Sequence, residues 1–83
     1  MKHSHNGWRA ETREMNLGEY IEVLEAAQSG DNLMLARTSR DIFEYAENAG
    51  ESCSPNSLPM SVYRKFVEEA VESWAVDPNS EGG

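Results

Sequence analysis

Three stretches of this chain place apolar residues three and four positions apart, the spacing of one face of an α-helix. They begin near Leu17, Asn32 and Pro59, and each is followed by a glycine or a proline. No segment is interpreted as a strand, because none combines strict alternation with β-branched residues. The connections between the stretches are short. The sequence therefore predicts an all-α fold, a compact antiparallel three-helix bundle with flexible polar termini.

The first predicted helix has clear signals at both ends. Asn16 is a favourable N-cap, and Glu19 three residues later completes a capping-box pattern. Gly30 stops the helix as a C′ residue would. Residues 8–14 could extend this helix backwards, but Gly18 and the cap favour a break. The expected core stripe of this helix consists of Leu17, Ile21, Leu24 and Gln28, widened by Tyr20, Val23 and Ala27.

The second and third helices are predicted from the same kind of signals. Asp31 would cap a helix running from Asn32 to about Ala49, with Gly50 as its stop. The third helix would start at about Pro59, since proline is tolerated in a first turn. Its expected core stripe consists of Tyr63, Phe66, Val67, Ala70, Val71 and Trp74.

The length of 83 residues corresponds to one small domain. We assign residues 15–76 to the three-helix domain, residues 1–14 to a flexible N-terminal segment and residues 77–83 to a disordered tail. Cys53 is the only cysteine, which excludes an intrachain disulfide and favours a reducing compartment. No apolar run approaches the roughly 20 residues that a membrane span needs. A soluble cytoplasmic protein with no membrane partner is expected.

The charge balance narrows the class of partner. Fifteen acidic residues stand against seven basic ones, and Lys2, Arg9 and Arg13 all precede residue 14, so the predicted domain is strongly acidic. An acidic surface repels phosphate and attracts cationic proteins. We therefore expect no direct contact with nucleic acid, and a larger protein or complex with a basic surface as the partner.

Seven glutamates and two aromatic residues are the candidate partner-binding residues. Four of the glutamates would fall near one helix face if the first helix extended backwards, and three line the outer side of the third helix. The alternative is an ordinary solvated face with no binding role. Trp and Tyr are candidates because they dominate binding hot spots. The set is Glu11, Glu14, Glu22, Glu25, Glu68, Glu69, Glu72, Tyr45 and Trp8.

The sequence contains no catalytic motif, so we expect a protein that is not an enzyme and has no cofactor. Cys53 has no neighbouring base to activate its thiol. His3, His5 and Cys53 are too few for a structural zinc site, and no metal is expected. The basic residues of the helices are instead expected to form local ion pairs at i, i+4 spacing. Those pairs are Arg37–Asp41, Arg40–Glu44, Arg64–Glu68 and Lys65–Glu69.

The leading functional hypothesis is an acidic inhibitor or modulator that occupies a basic, nucleic-acid-binding surface of a larger protein. Small acidic helical proteins that phages and mobile elements direct against host defence enzymes, such as anti-CRISPR proteins, fit this description by class, with no shared motif. One alternative is a helical assembly or regulatory subunit, in one version a homodimer. The other is a helix-turn-helix DNA binder that uses Arg37 and Arg40, which the charge balance disfavours.

Overall fold

The computed structural model describes residues 1–75, and the predicted tail, residues 77–83, lies outside this range. The fold is α+β, with three helices and a four-stranded antiparallel sheet of order β1-β2-β3-β4; α3 packs against β1 and β2, and α1 and α2 pack against α3. The prediction of an all-α three-helix bundle is therefore wrong. The strands are β1 (Lys2–His5), β2 (Trp8–Thr12), β3 (Phe43–Asn48) and β4 (Glu51–Cys53). The helices are α1 (Leu17–Ser29), α2 (Asn32–Ser39) and α3 (Met60–Ala75).

The N-terminal segment forms the first hairpin and is not the flexible arm expected from its polarity. Asn6 and Gly7 connect β1 to β2 with φ angles of 50° and 82°. Positive φ at both residues of a two-residue loop is the type I′ geometry, for which Asn-Gly is the preferred pair. Side chains at alternate positions then point inward, and among these His3, Ala10 and Thr12 are buried. The same strand excludes a backward extension of α1.

The predicted second helix ends early and its second half is a strand. After α2, a 3₁₀ turn over Arg40–Ile42 leads into β3, which pairs with β2. Phe43 pairs with Thr12 and Tyr45 with Glu11, so Glu44 is the extra residue of a bulge. The bulge places Phe43 and Ala46 on the same buried face. Their three-residue spacing is also that of a helix, which explains the wrong prediction.

Gly50 illustrates the same ambiguity at a turn. It was expected to end a helix, yet it lies with Ala49 in the loop that joins β3 to β4. The φ angles are 53° at Ala49 and 87° at Gly50. A helix C′ position and a type I′ turn both need a left-handed residue, so glycine alone does not distinguish them.

The local signals of α1 and α3 are confirmed. The Asn16 side chain accepts from the Glu19 backbone N–H, and the Glu19 carboxylate accepts from the Asn16 N–H, which completes the capping box. Gly30 follows α1 with a φ of 76°. The predicted stripe of α3 is buried from Tyr63 to Val71, and Trp74 is half-buried with its ring stacked on Tyr20. These features depend on residues close in sequence.

His3 joins the two layers of the fold. Its Nδ1 lies 2.9 Å from Glu69 Oε1 on α3, and its Nε2 lies 2.8 Å from Thr12 Oγ1 on β2. The ring stacks on Phe66 at a centroid distance of 5.2 Å. Because a carboxylate can only accept, Nδ1–H donates to Glu69 and leaves Nε2 for the Thr12 hydroxyl. Every polar atom of this buried ring is thereby satisfied.

A second buried polar contact lies where α2 meets α3. Ser39 Oγ and Tyr63 Oη are 2.6 Å apart, and the Tyr63 ring stacks on Phe43 of the sheet. Burial raises the pKa of the Tyr63 hydroxyl above its usual value. The neutral hydroxyl can then exchange a hydrogen bond with Ser39 without a buried charge.

Replacing Gly7 with alanine tests the first hairpin. No atom lies within 4 Å of the position that a Cβ would take at Gly7, so the cost is backbone strain alone. We expect Gly7→Ala to lower the free energy of unfolding by about 1 kcal/mol in urea denaturation. Gly18→Ala, in the first turn of α1, should instead raise it by up to about 0.5 kcal/mol. A flexible arm would leave Gly7→Ala without effect.

Replacing His3 with alanine tests the connection between the layers. The change removes a buried ring and leaves the Thr12 hydroxyl and the Glu69 carboxylate without their partner. We expect His3→Ala to cost about 2 to 4 kcal/mol of unfolding free energy, measured in urea. The matched change His5→Ala removes a half-buried ring whose hydrogen bond to Asn6 is exposed, and should cost less than about 1 kcal/mol. Equal effects of the two changes would contradict the role given to His3.

Candidate protein-binding surface

Helix α1 presents an apolar stripe to solvent. Leu17 is 60% exposed and Ile21, one turn later, is 46% exposed, while Leu24 is half-buried. The buried residues of this helix, Val23 and Ala26, lie nearly opposite the stripe. The prediction of a core position is therefore wrong for Leu17 and Ile21. Of the residues expected to widen the core stripe, Val23 is buried, and Ala26 is a core residue that the prediction did not include. We refer to Leu17, Ile21 and Leu24 as the α1 stripe.

Carboxylates border the α1 stripe on one side. Glu22 and Glu25 are exposed and follow the stripe around the helix surface. Helix α1 contains three glutamates and neither lysine nor arginine. Among the described residues, neither Glu22 nor Glu25 takes part in an ion pair. The exposed side of this helix thus combines aliphatic area with uncompensated negative charge.

Arg13 fixes the N-terminus of α1. Its Nη1 donates to Glu19 Oε1 at 2.8 Å, Nη2 donates to Glu19 Oε2, and Nε donates to the Asp41 carbonyl at 3.2 Å. The hydrogen bond from Arg13, with that from the Asn16 backbone, lowers the pKa of the Glu19 carboxyl to about 2. Sequence reasoning missed this role of Arg13, since its partner lies six residues away and outside any helical spacing.

Side chains of α3 donate hydrogen bonds to the backbone at both ends of α1. Arg64 of α3 donates from Nη1 to the Ala27 carbonyl at 3.2 Å and from Nη2 to Asn32 Oδ1 at 2.8 Å. Trp74 Nε1 donates to the Met15 carbonyl just before α1, at 2.9 Å. The exposed side of α1 is consequently presented on a helix that is fixed at both ends.

The seven candidate glutamates do not lie on one face. Glu11 is on the outer face of the sheet, beside Tyr45 in the strand register, and Glu14 is in the connection before α1. Glu22 and Glu25 are on α1, and the remaining three are on α3. The grouping of Glu11 and Glu14 with the α1 pair required a longer first helix, which β2 excludes.

The glutamates of α3 are partly engaged within the protein. The predicted ion pairs Arg64–Glu68 and Lys65–Glu69 are present, each at 3.9 Å. Glu69 also holds His3, so it has a structural role. Glu72 is exposed. The pairs predicted for Arg37 and Arg40 are not found among residues 1–75, because the helix that would have aligned them ends at Ser39.

The two aromatic candidates have different surroundings. Trp8 is half-buried and packs against the core, which favours a structural role. Tyr45 is 38% exposed on the outer face of the sheet, at the side of a depression of about 130 Å³. Four charged side chains share that depression, two of each sign: Lys2, Arg9, Glu11 and Glu47. This balanced face has the mixed charge of an ordinary solvated surface.

Among residues 1–75 there is no group of three or more histidine, cysteine, aspartate or glutamate side chains arranged to hold a metal ion. Over the same range, no helix has the length and apolar character required to cross a membrane. The chain matches no known protein-family model, no curated protein and no solved structure.

The Arg13–Glu19 pair makes the stability of the protein depend on pH. Because the pKa of Glu19 falls from 4.5 to about 2 on folding, the pair stabilises the protein fully above the unfolded value. That contribution is lost as the pH falls from about 4.5 towards 2. We expect the difference in unfolding free energy between the wild type and Glu19→Gln to be constant above about pH 5.5 and to shrink below it.

The measurement is urea denaturation of both proteins at a series of pH values. Glu22→Gln serves as the control, because Glu22 lies on the same helix and forms no ion pair within residues 1–75. Its difference from the wild type should stay small. A Glu19→Gln difference that did not change with pH would contradict the pairing.

Proposed function

We propose that this protein is a small acidic binding protein without enzymatic activity. It docks α1 onto a basic surface of a larger protein and acts there as an inhibitor or modulator. The single observation that carries the proposal is the combination, on one exposed helix face, of the α1 stripe with Glu22 and Glu25. Buried apolar contacts slow the dissociation of a complex, and complementary charge speeds its association.

The chemistry of the expected partner follows from that face. A surface that covers Leu17 and Ile21 needs an apolar patch of its own, and the neighbouring carboxylates favour lysine or arginine at its rim. Nucleic-acid-binding proteins carry dense basic surfaces of this kind. An acidic helix seated there would compete with the phosphate backbone, which supports an inhibitory role of the anti-CRISPR class by analogy.

The firm attachment of α1 also supports the proposal. The capping box, the hydrogen bonds from Arg13 to Glu19 and the contacts from Arg64 hold the helix in place. A helix already in its bound conformation loses little entropy on binding. The single cysteine, Cys53, favours the reducing conditions of the cytoplasm as the place of action.

Self-association is the second candidate function, and the exposure of Leu33 and Met34 at the start of α2 favours it. These two residues lie outside the acidic border of α1, so a second copy could cover them without bringing the glutamates of α1 together. Sedimentation analysis over the micromolar range separates the candidates. A strictly monomeric protein would remove the homodimer version.

Paired variants of α1 test the docking proposal. The full chain would be used to capture partners from its native cells, followed by affinity measurements with the purified partner. Leu17→Ser with Ile21→Ser removes apolar area without changing charge, and we expect affinity to fall about 10- to 100-fold. Glu22→Gln with Glu25→Gln removes charge at nearly constant size, and affinity should fall about 3- to 10-fold at low salt.

Glu44→Gln with Glu51→Gln is the matched control, because it removes the same charge from exposed positions on the sheet. This variant should bind as the wild type does. Affinity of the wild type should decrease as ionic strength rises, and the α1 charge variant should show a weaker dependence. Binding that was insensitive to both α1 variants, or unchanged between low and high salt, would refute the proposal.

A further inference from the structure

β1 is an edge strand, and within the described residues only alternate residues of β1 pair their backbone N–H and C=O groups with β2. The Thr12 N–H donates to the Met1 carbonyl at 2.9 Å, which identifies Met1–Thr12 as a hydrogen-bonded pair. In an antiparallel ladder such pairs alternate with pairs that direct their N–H and C=O groups away from each other. The register then makes His3–Ala10 a bonded pair and turns the backbone groups of Lys2 and Ser4 toward the open edge.

A groove of about 350 Å³ runs along this edge. One side is formed by the first residues of the chain up to Ser4, and the other by the exposed flank of α3. The residues from α3 are Glu69, Glu72 and Ser73. An edge strand beside a helix is the arrangement in which an extended peptide can add to a sheet.

The groove favours basic side chains at alternate positions of such a peptide. In an added strand, every second side chain points to the helix side of the sheet, as His3 does in β1. On that side it would meet the carboxylates of Glu69 and Glu72. Lys2 does not oppose this, because its side chain belongs to the outer face together with Glu11. Acidic side chains at the same positions would be repelled.

The position and register of β1 are fixed before any partner strand binds. His3 is fixed by its hydrogen bonds to Glu69 and Thr12 and by its stacking on Phe66. The Asn6-Gly7 turn sets the register of β1 against β2. Little conformational freedom remains for β1 to lose when a partner strand arrives.

We propose that the groove between β1 and α3 binds an extended segment of another protein, antiparallel to β1, with lysine or arginine at every second position. The segment forms a fifth strand through the backbone of Lys2 and Ser4, and its basic side chains contact Glu69 and Glu72. These residues are separate from the α1 stripe. The proposal can therefore hold or fail independently of the α1 docking function.

The probe is a capped peptide of alternating lysine and valine, titrated into the ¹⁵N-labelled full chain and followed by NMR. We expect amide resonances to shift at Lys2 and Ser4 and along α3 from Glu69 to Ser73. The same peptide with glutamate in place of lysine should bind at least about tenfold more weakly. Absence of shifts at β1 at millimolar lysine peptide would overturn the proposal.

Backbone methylation of the peptide separates strand addition from charge attraction. In the proposed antiparallel pairing, residues bonded to Lys2 and Ser4 share their outer face, so the valine N–H groups point to β1. N-methylation at the valines should reduce affinity at least about tenfold, and N-methylation at the lysines should leave it nearly unchanged. Equal affinities of the two methylated peptides would overturn strand addition.

A pair of protein variants tests the position of the charge. Glu72→Gln removes an exposed carboxylate of the groove, and we expect affinity for the lysine peptide to fall about two- to fivefold at low salt. Glu51→Gln removes the same charge from β4, at the opposite edge of the sheet, and should leave affinity unchanged. Equal losses in both variants would show attraction to the protein as a whole and would refute the groove as the site.

Discussion

The fold depends on the inward burial of the N-terminal hairpin, and His3 is the residue that makes this possible. A four-residue edge strand with one fully buried imidazole contributes little apolar area. The hydrogen bonds to Glu69 and Thr12 remove the cost of burying that ring, and its stacking on Phe66 adds contact with the core of α3. The position of β1 then aligns the edge of the sheet with the flank of α3.

Helix α1 contributes one side to the core and leaves the other side exposed to solvent. Small and medium residues, such as Val23 and Ala26, form its inner side, while Leu17 and Ile21 face solvent. External hydrogen bonds at both ends replace part of the packing that those larger residues would otherwise supply. In the proposed docking function, the acidic residues beside the stripe would favour cationic partners.

Much of the local structure was predictable because its causes lie within a few residues. The capping box at Asn16, the stop at Gly30 and the stripe of α3 behaved as their patterns indicate. The Asn6-Gly7 pair was an equally local hairpin signal. It was overlooked because the flanking residues, two histidines among them, are not apolar enough to suggest a buried strand face. Of the candidate carboxylates, Glu22 and Glu25 are exposed on α1, and their role in partner binding stays a prediction.

The amino-acid sequence by itself determined both ends of α1, the start of α2, the acidity and the apolar stripe of α3, since each depends on neighbouring residues or on composition. Only the tertiary structure decided that residues 43–48 are a strand and that the α1 stripe is exposed. Strand β3 exists through its pairing with β2, which lies more than 30 residues earlier in the chain, and the bulge at Glu44 gives it a helix-like spacing. Likewise, which side of α1 is buried depends on what packs against it, and a pattern of spacing contains no information about that partner.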